Sequence, residues 1–124
     1  MTHDAAAERA AIRSTQPPDV DDEPEIIDLA EIARIGVGGA WSERSDDLSA
    51  ELVVLDHGAG LAEHVERERD LLLVGVMGEG ALTIDGRISF IWPGAALLIP
   101  KGARRAIQPT TNRFAYLACA SGRI

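Results

Sequence analysis

His64 and Glu66 stand two residues apart in the phrase LAEHVERERD, and Asp70 closes it. Side chains on a strand alternate between its faces, so His64 and Glu66 share one. An imidazole beside carboxylates can help hold a cation, or donate or accept a hydrogen bond to a ligand. A second phrase, IPKGARRAI, supplies Arg104 and Arg105. A guanidinium stays protonated and has no lone pair, so it cannot ligate a metal; it binds a carboxylate or phosphate instead. Alternation points Arg104 and Arg105 in opposite directions, Arg104 to solvent or a subunit interface.

The remaining reactive types read as bland. His57 falls between a strand and a glycine turn, where an exposed loop histidine is expected, and His3 lies near the start of the chain. Lys101, between Pro100 and Gly102, reads as a solvated turn residue. Cys119 alternates with Leu117 and Ala115 on a strand and reads as a buried, inert thiol. Phe114 and Tyr116 share the other face, and one of them is a candidate to line a pocket. There is no phosphate loop, nucleotide fingerprint, CxxC pair or nucleophile elbow.

The elements that must position these groups are short strands. LSAELVVLD, LAEHVE, DLLLVGVMG, AALLIP, KGARRAIQP and NRFAYLACA each read as one, and GALTIDGRISFIW as a hairpin. Asp85-Gly86 suits a type I′ turn, and Pro93-Gly94 makes another turn. Eight or nine close-spaced strands predict an all-β antiparallel sandwich or barrel. The strand at 71–77 is apolar on both faces, so it belongs between the barrel interior and a second packed surface. Counting alternation from Asp70 puts Leu72, Val74 and Val76 inward, with Leu98 a further candidate to fill the interior. Residues 26–36 fit either a short helix capped by Asp28 or an edge strand. Residues 36–47 read as loop, with Trp41 as a plug on the barrel flank.

Residues 1–25 are expected to be a disordered acidic tail, and residues 26–124 the folded domain. The tail holds seven acids and two bases, a net of −5, together with a proline-rich acidic run; the remainder nets only −3. Asp4 could cap a short helix over residues 5–13. A chain of 124 residues suits one domain with one core. Aromatics are 4%, so that core must be built from Leu, Ile, Val and Ala. No basic face is available for nucleic acid or an anionic membrane. One cysteine permits no intrachain disulfide. The first residues lack the features of a secretory signal and no apolar run is long enough to span a bilayer, so a cytoplasmic location is the expectation.

Two motifs, Gly58-x5-His64-x-Glu66-x3-Asp70-x7-Gly78 and Gly94-x5-Pro100-x-Gly102-x2-Arg105, resemble the paired motifs of the cupin superfamily. Gly58, Gly94, Pro100 and Gly102 fall where the family has them, and Gly78 one position late. The resemblance covers residues 48–120 and implies a double-stranded β-helix, or jelly-roll, barrel. It also implies that His64, Glu66, Asp70 and Arg105 converge inside, at the family's four metal-ligand positions. There Glu66 replaces a His, Asp70 a Glu, and Arg105 a His. IPKGARRAI further resembles small bacterial cupins that carry Arg at this position.

An arginine at the fourth position repels a divalent ion and suits two carboxylates. The metal site is therefore read as degenerate. Three readings follow. The four residues form a ligand site without a tightly bound metal, in a small-molecule-binding or sensing domain whose ligand is polar or anionic. Alternatively, His64, Glu66 and Asp70 hold Fe, Mn or Zn in a metal-dependent dioxygenase or isomerase. In the third, the four make only an internal salt-bridge network. Whether the chain is an enzyme is left open. Cupins commonly dimerise, and the apolar strand at 71–77 suits a homodimer interface.

Overall fold

A computed structural model describes residues 25–121. Most of the expected tail, and with it the helix expected over residues 5–13, lies outside the described residues. Among them are one helix and nine strands: α1 (Leu29–Ile35), β1 (Gly38–Arg44), β2 (Leu48–Asp56), β3 (Leu61–Val65), β4 (Leu71–Met77), β5 (Gly80–Ile84), β6 (Arg87–Ile91), β7 (Ala96–Ile99), β8 (Arg104–Pro109) and β9 (Arg113–Ser121). They form two antiparallel sheets. One has the order β1-β2-β9-β4-β7 and the other β3-β8-β5-β6. This is the all-β jelly-roll barrel that the strand pattern predicts.

Local chemistry accounts for the turns. Asp85 and Gly86 both have positive φ, 49° and 84°, as a type I′ hairpin requires. Strands β5 and β6 then pair in unbroken register from Ile84↔Arg87 to Gly80↔Ile91. Asp28 caps α1 by accepting the Glu31 N–H at 3.2 Å, which decides the ambiguous 26–36 stretch in favour of helix.

The core lies between the two inner faces. Phe114 and Tyr116 of β9 stack at 5.4 Å between ring centroids, packed with Leu55, Leu73, Leu82 and Ile107. A second cluster, on the outer face of the five-stranded sheet, joins Ala33 of α1 to Leu52, Val54 and Ala115, with Trp41, Val76 and Met77 against it. Arg113 ties the helix down. Its Nη1 donates to the carbonyls of Ala33, Arg34 and Gly36 at 2.8–3.0 Å, and its Nε to Asp56 at 3.2 Å. It thereby satisfies carbonyls left open at a helix C-terminus.

Three expectations need correction. Residues 36–47 are not all loop: β1 pairs with β2 from Gly38↔Val54 to Arg44↔Ser49, with a bulge between Gly39 and Trp41. Glycines hid a strand whose pairing comes from its neighbour. Trp41 does pack on the flank, as expected. Alternation within β4 is also opposite to that counted from Asp70. Leu71 and Leu73 face the core, Val76 faces α1, and Leu72 is 41% exposed. Asp70 precedes the strand, so parity cannot be carried through it. Leu98, directly across from Leu72, is 60% exposed and does not fill the interior. The broader expectation for β4 holds, since its two apolar faces meet the barrel core and α1.

Candidate functional site

Alternation along β8 buries Arg105, Ile107 and Pro109 and leaves Arg104 and Gln108 outside. Arg105 is thus carried inward by the same rule that buries an apolar neighbour. The turn before β8 sets its start. Ala103 N–H donates to the Pro100 carbonyl at 3.2 Å, and Gly102 has φ 88°, the combination of a type II turn. The β3–β4 loop pins this turn from two sides. Gly102 N–H donates to the Glu66 carbonyl at 2.7 Å, and Lys101 N–H to the Asp70 carboxylate at 2.9 Å.

Strand β3 pairs with β8 so that His64 lies opposite Arg105. Arg105 Nε donates to His64 Nε2 at 3.3 Å. Since Nε2 accepts, the imidazole is neutral there and carries its proton on Nδ1, which donates to the Ala62 carbonyl at 3.1 Å. His64 therefore spends both ring nitrogens on orienting Arg105. Arg105 is only 7% exposed. Its Nη1 is fully buried without a hydrogen-bond partner, and no carboxylate among the described residues lies within ion-pair distance.

The expected partners of Arg105 are occupied elsewhere. One Glu66 oxygen accepts the Glu68 N–H at 2.9 Å and the other pairs with Arg69 at 3.1 Å. The Glu68 amide chiefly holds the Glu66 carboxyl below its usual range; Arg69 adds to this, and the field of Arg105 adds least. Asp70 is exposed and caps the Lys101 turn. The expected four-residue convergence is thus reduced to the pair His64–Arg105. A short charged loop has local amides and its own arginine within reach, and these win over a barrel interior that desolvates carboxylates.

The same geometry tests the metal reading. His64, Glu66 and Asp70 do not gather as a metal-binding group, and no group of three or more His, Cys, Asp or Glu does so among the described residues. The imidazole nitrogen that would face a metal accepts from an arginine instead. These residues do not fit a divalent ion.

Other candidates fall where their types suggest. His57 and Lys101 are exposed. Cys119 is half-buried rather than buried, on the outer face opposite Leu72, and burial pushes its thiol up, away from the reactive thiolate. A shallow groove of about 340 Å³ beside β3 and β8 is lined by Glu63, His64, Val65, Arg67, Gly102 and Arg104; Arg105 is not among its walls.

One inward charge escaped notice in the sequence. Glu51 of β2 shares the inner face with Val53 and Leu55, which pack into the core. Because β2 is apolar on both faces, parity alone gave no signal for it.

The chain has the cupin fold. No protein-family model matches the sequence, and no curated protein matches it. Solved structures do. KdgF from a Halomonas species matches at TM-score 0.63 and 22% identity, over 66% of this chain and 74% of that one. A cupin of the RmlC-like type from Shewanella frigidimarina matches at 0.59 and 21%, over 64% and 70%. A Bacillus halodurans protein, BH2720, matches at 0.70 and 15%, over 86% of both chains. Identities at this level speak for the fold, which hosts many activities. No helix among the described residues is long and apolar enough to cross a membrane.

Proposed function

We propose that this barrel binds a small anionic or polar molecule, as a ligand-binding or sensing domain, without a tightly bound metal, and that Arg105 is its anchor. The observation that carries this reading is the buried guanidinium with an unpartnered Nη1. A buried charge without a counter-ion costs several kcal/mol. A ligand carboxylate or phosphate removes that cost by taking both terminal nitrogens in a bidentate pair. His64 positions the guanidinium. Glu66 and Asp70 act through the turn that delivers β8 and do not touch the ligand. The domain acts as a homodimer, joined through the part of the outer sheet face that α1 leaves bare, where Leu72 and Leu98 pair.

A thermal-shift series of small carboxylates and phosphates tests the anchor. At least one class raises the melting temperature of the wild type and none raises that of Arg105→Gln. Metal content is measured on the same protein after growth with Fe, Mn and Zn. Near-stoichiometric metal, or shifts that survive in Arg105→Gln, overturn the reading.

A further inference from the structure

Arg105 is not the only inward charge that lacks an ion-pair partner among the described residues. Glu51 lies on the inner face of the opposite sheet, half-buried, and its carboxylate makes no ion pair or hydrogen bond among the described residues. A Cβ added at Gly39 would sit 2.7 Å from its Oε2, so the carboxylate lies close over the backbone of β1. In the β2–β9 ladder Glu51 faces Ala118 and Val53 faces Tyr116, which makes Glu51 and Tyr116 diagonal neighbours on one face. Tyr116 is 3% exposed. Its phenol is pushed well above its usual range, first by burial and then by Glu51, while Arg105 pulls the other way. Tyr116 packs in one core cluster with Ile107, which shares the buried face of β8 with Arg105, and Ala118 and Ala120 on the same face of β9 are small.

A buried cation on one sheet and a carboxylate on the inner face of the other, with no ion pair between them among the described residues, offer two charges of opposite sign to one ligand. We infer that Glu51 and Tyr116 form a second pole of the site, and that the ligand is a short acid carrying its own hydrogen-bond donor, an ammonium or a hydroxyl. This rests on the anchoring role of Arg105. The acid group sits on Arg105 and accepts from the Tyr116 hydroxyl. The donor faces Glu51, which as a carboxylate can only accept. A ligand with a bare acid would leave Glu51 facing nothing, so the site discriminates against it. A site built to pair a donor rejects the analogue that lacks one.

The test uses three matched acids, propanoate, lactate and alanine, titrated into the full chain and followed by NMR. Wild type binds lactate or alanine about tenfold or more tightly than propanoate, the range of one charge-assisted hydrogen bond. Whichever of the two is tighter identifies the donor as hydroxyl or ammonium. Glu51→Gln brings that ratio close to one. Tyr116→Phe weakens all three acids a few-fold and keeps the ratio, which provides a second reading should Glu51→Gln fold poorly. Equal affinity for the three acids in wild type, or an undiminished ratio in Glu51→Gln, overturns the second pole and leaves the anchor standing. Affinities that survive in Arg105→Gln overturn the anchor itself. Failure of wild type to bind any of the three overturns the second pole, and the anchor falls with it if the thermal-shift series of carboxylates and phosphates gives no shift either.

Discussion

Arg105 donates through Nε to Nε2 of His64, at 3.3 Å, across the β3–β8 ladder. The bond settles two things at once. It fixes the imidazole as an acceptor on its inner nitrogen, and it holds a cation where the sequence motif would seat a metal ligand. Nη1 of the guanidinium is left without a hydrogen-bond partner among the described residues, and there the stability of the fold and its capacity to bind pull in opposite directions.

Replacing Arg105 with Met should therefore stabilise the free protein, by about 1–3 kcal/mol, because an apolar side chain of similar length removes an unpaired buried charge. Urea unfolding in the absence of ligand measures this. Loss of stability on that scale would show that Arg105 supports the barrel rather than a ligand.

Asp70→Ala should cost about 1 kcal/mol, the value of a charge-assisted hydrogen bond at an exposed site, since Asp70 holds the Lys101 amide. Ligand affinity should fall only modestly, because the turn that starts β8 is also tied by the Glu66 carbonyl. Affinity abolished with stability unchanged would instead put Asp70 in contact with the ligand.

Glu66 makes a pH prediction. Its carboxyl is held below the ordinary value, first by the Glu68 amide and then by Arg69. A depressed carboxyl adds stability that is complete above the unfolded-state pKa and is lost as pH falls through the folded one. Wild type should thus exceed Glu66→Gln in stability at about pH 7, and the gap should be smaller at about pH 3. A gap that persists undiminished in acid would mean that the carboxylate charge is not what matters. Urea midpoints at both values decide.

Light scattering should find the wild type a dimer and Leu98→Glu a monomer. Leu98 is 60% exposed and sits against Leu72 on a face that α1 does not cover. Its own strand β7 is an edge of the five-stranded sheet, so the change should leave the melting temperature of the monomer nearly intact. A wild-type monomer, or a dimer in the variant, rules this face out.

Gly78→Ala should cost more than about 2 kcal/mol. Its φ is 67°, and a Cβ there would lie 1.8 Å from the Arg113 carbonyl. The same carbonyl accepts from Thr111, so relieving the clash disturbs the start of β9. Thermal unfolding measures the loss.

What could be read along the chain was what short-range chemistry decides. Asp85-Gly86 suits a turn with positive φ at both residues, Pro93-Gly94 and Lys101-Gly102 bend the chain with two residues each, and β2 runs over the nine residues its composition indicated. These, with the motif resemblance, were enough for a jelly-roll barrel. Tertiary structure decided the rest. Strand β1 exists because β2 offers it an edge. The faces of β4 could not be assigned while both were apolar, and Asp70, outside the strand, misled the count. The motif resemblance put Glu66 and Asp70 in one cluster with His64, yet loop amides and Arg69 captured them. Glu51 was invisible because β2 is apolar on both sides. A side chain's face follows from alternation only within a continuous strand, and its partner depends on which charges and amides the packed chain brings within a few ångströms.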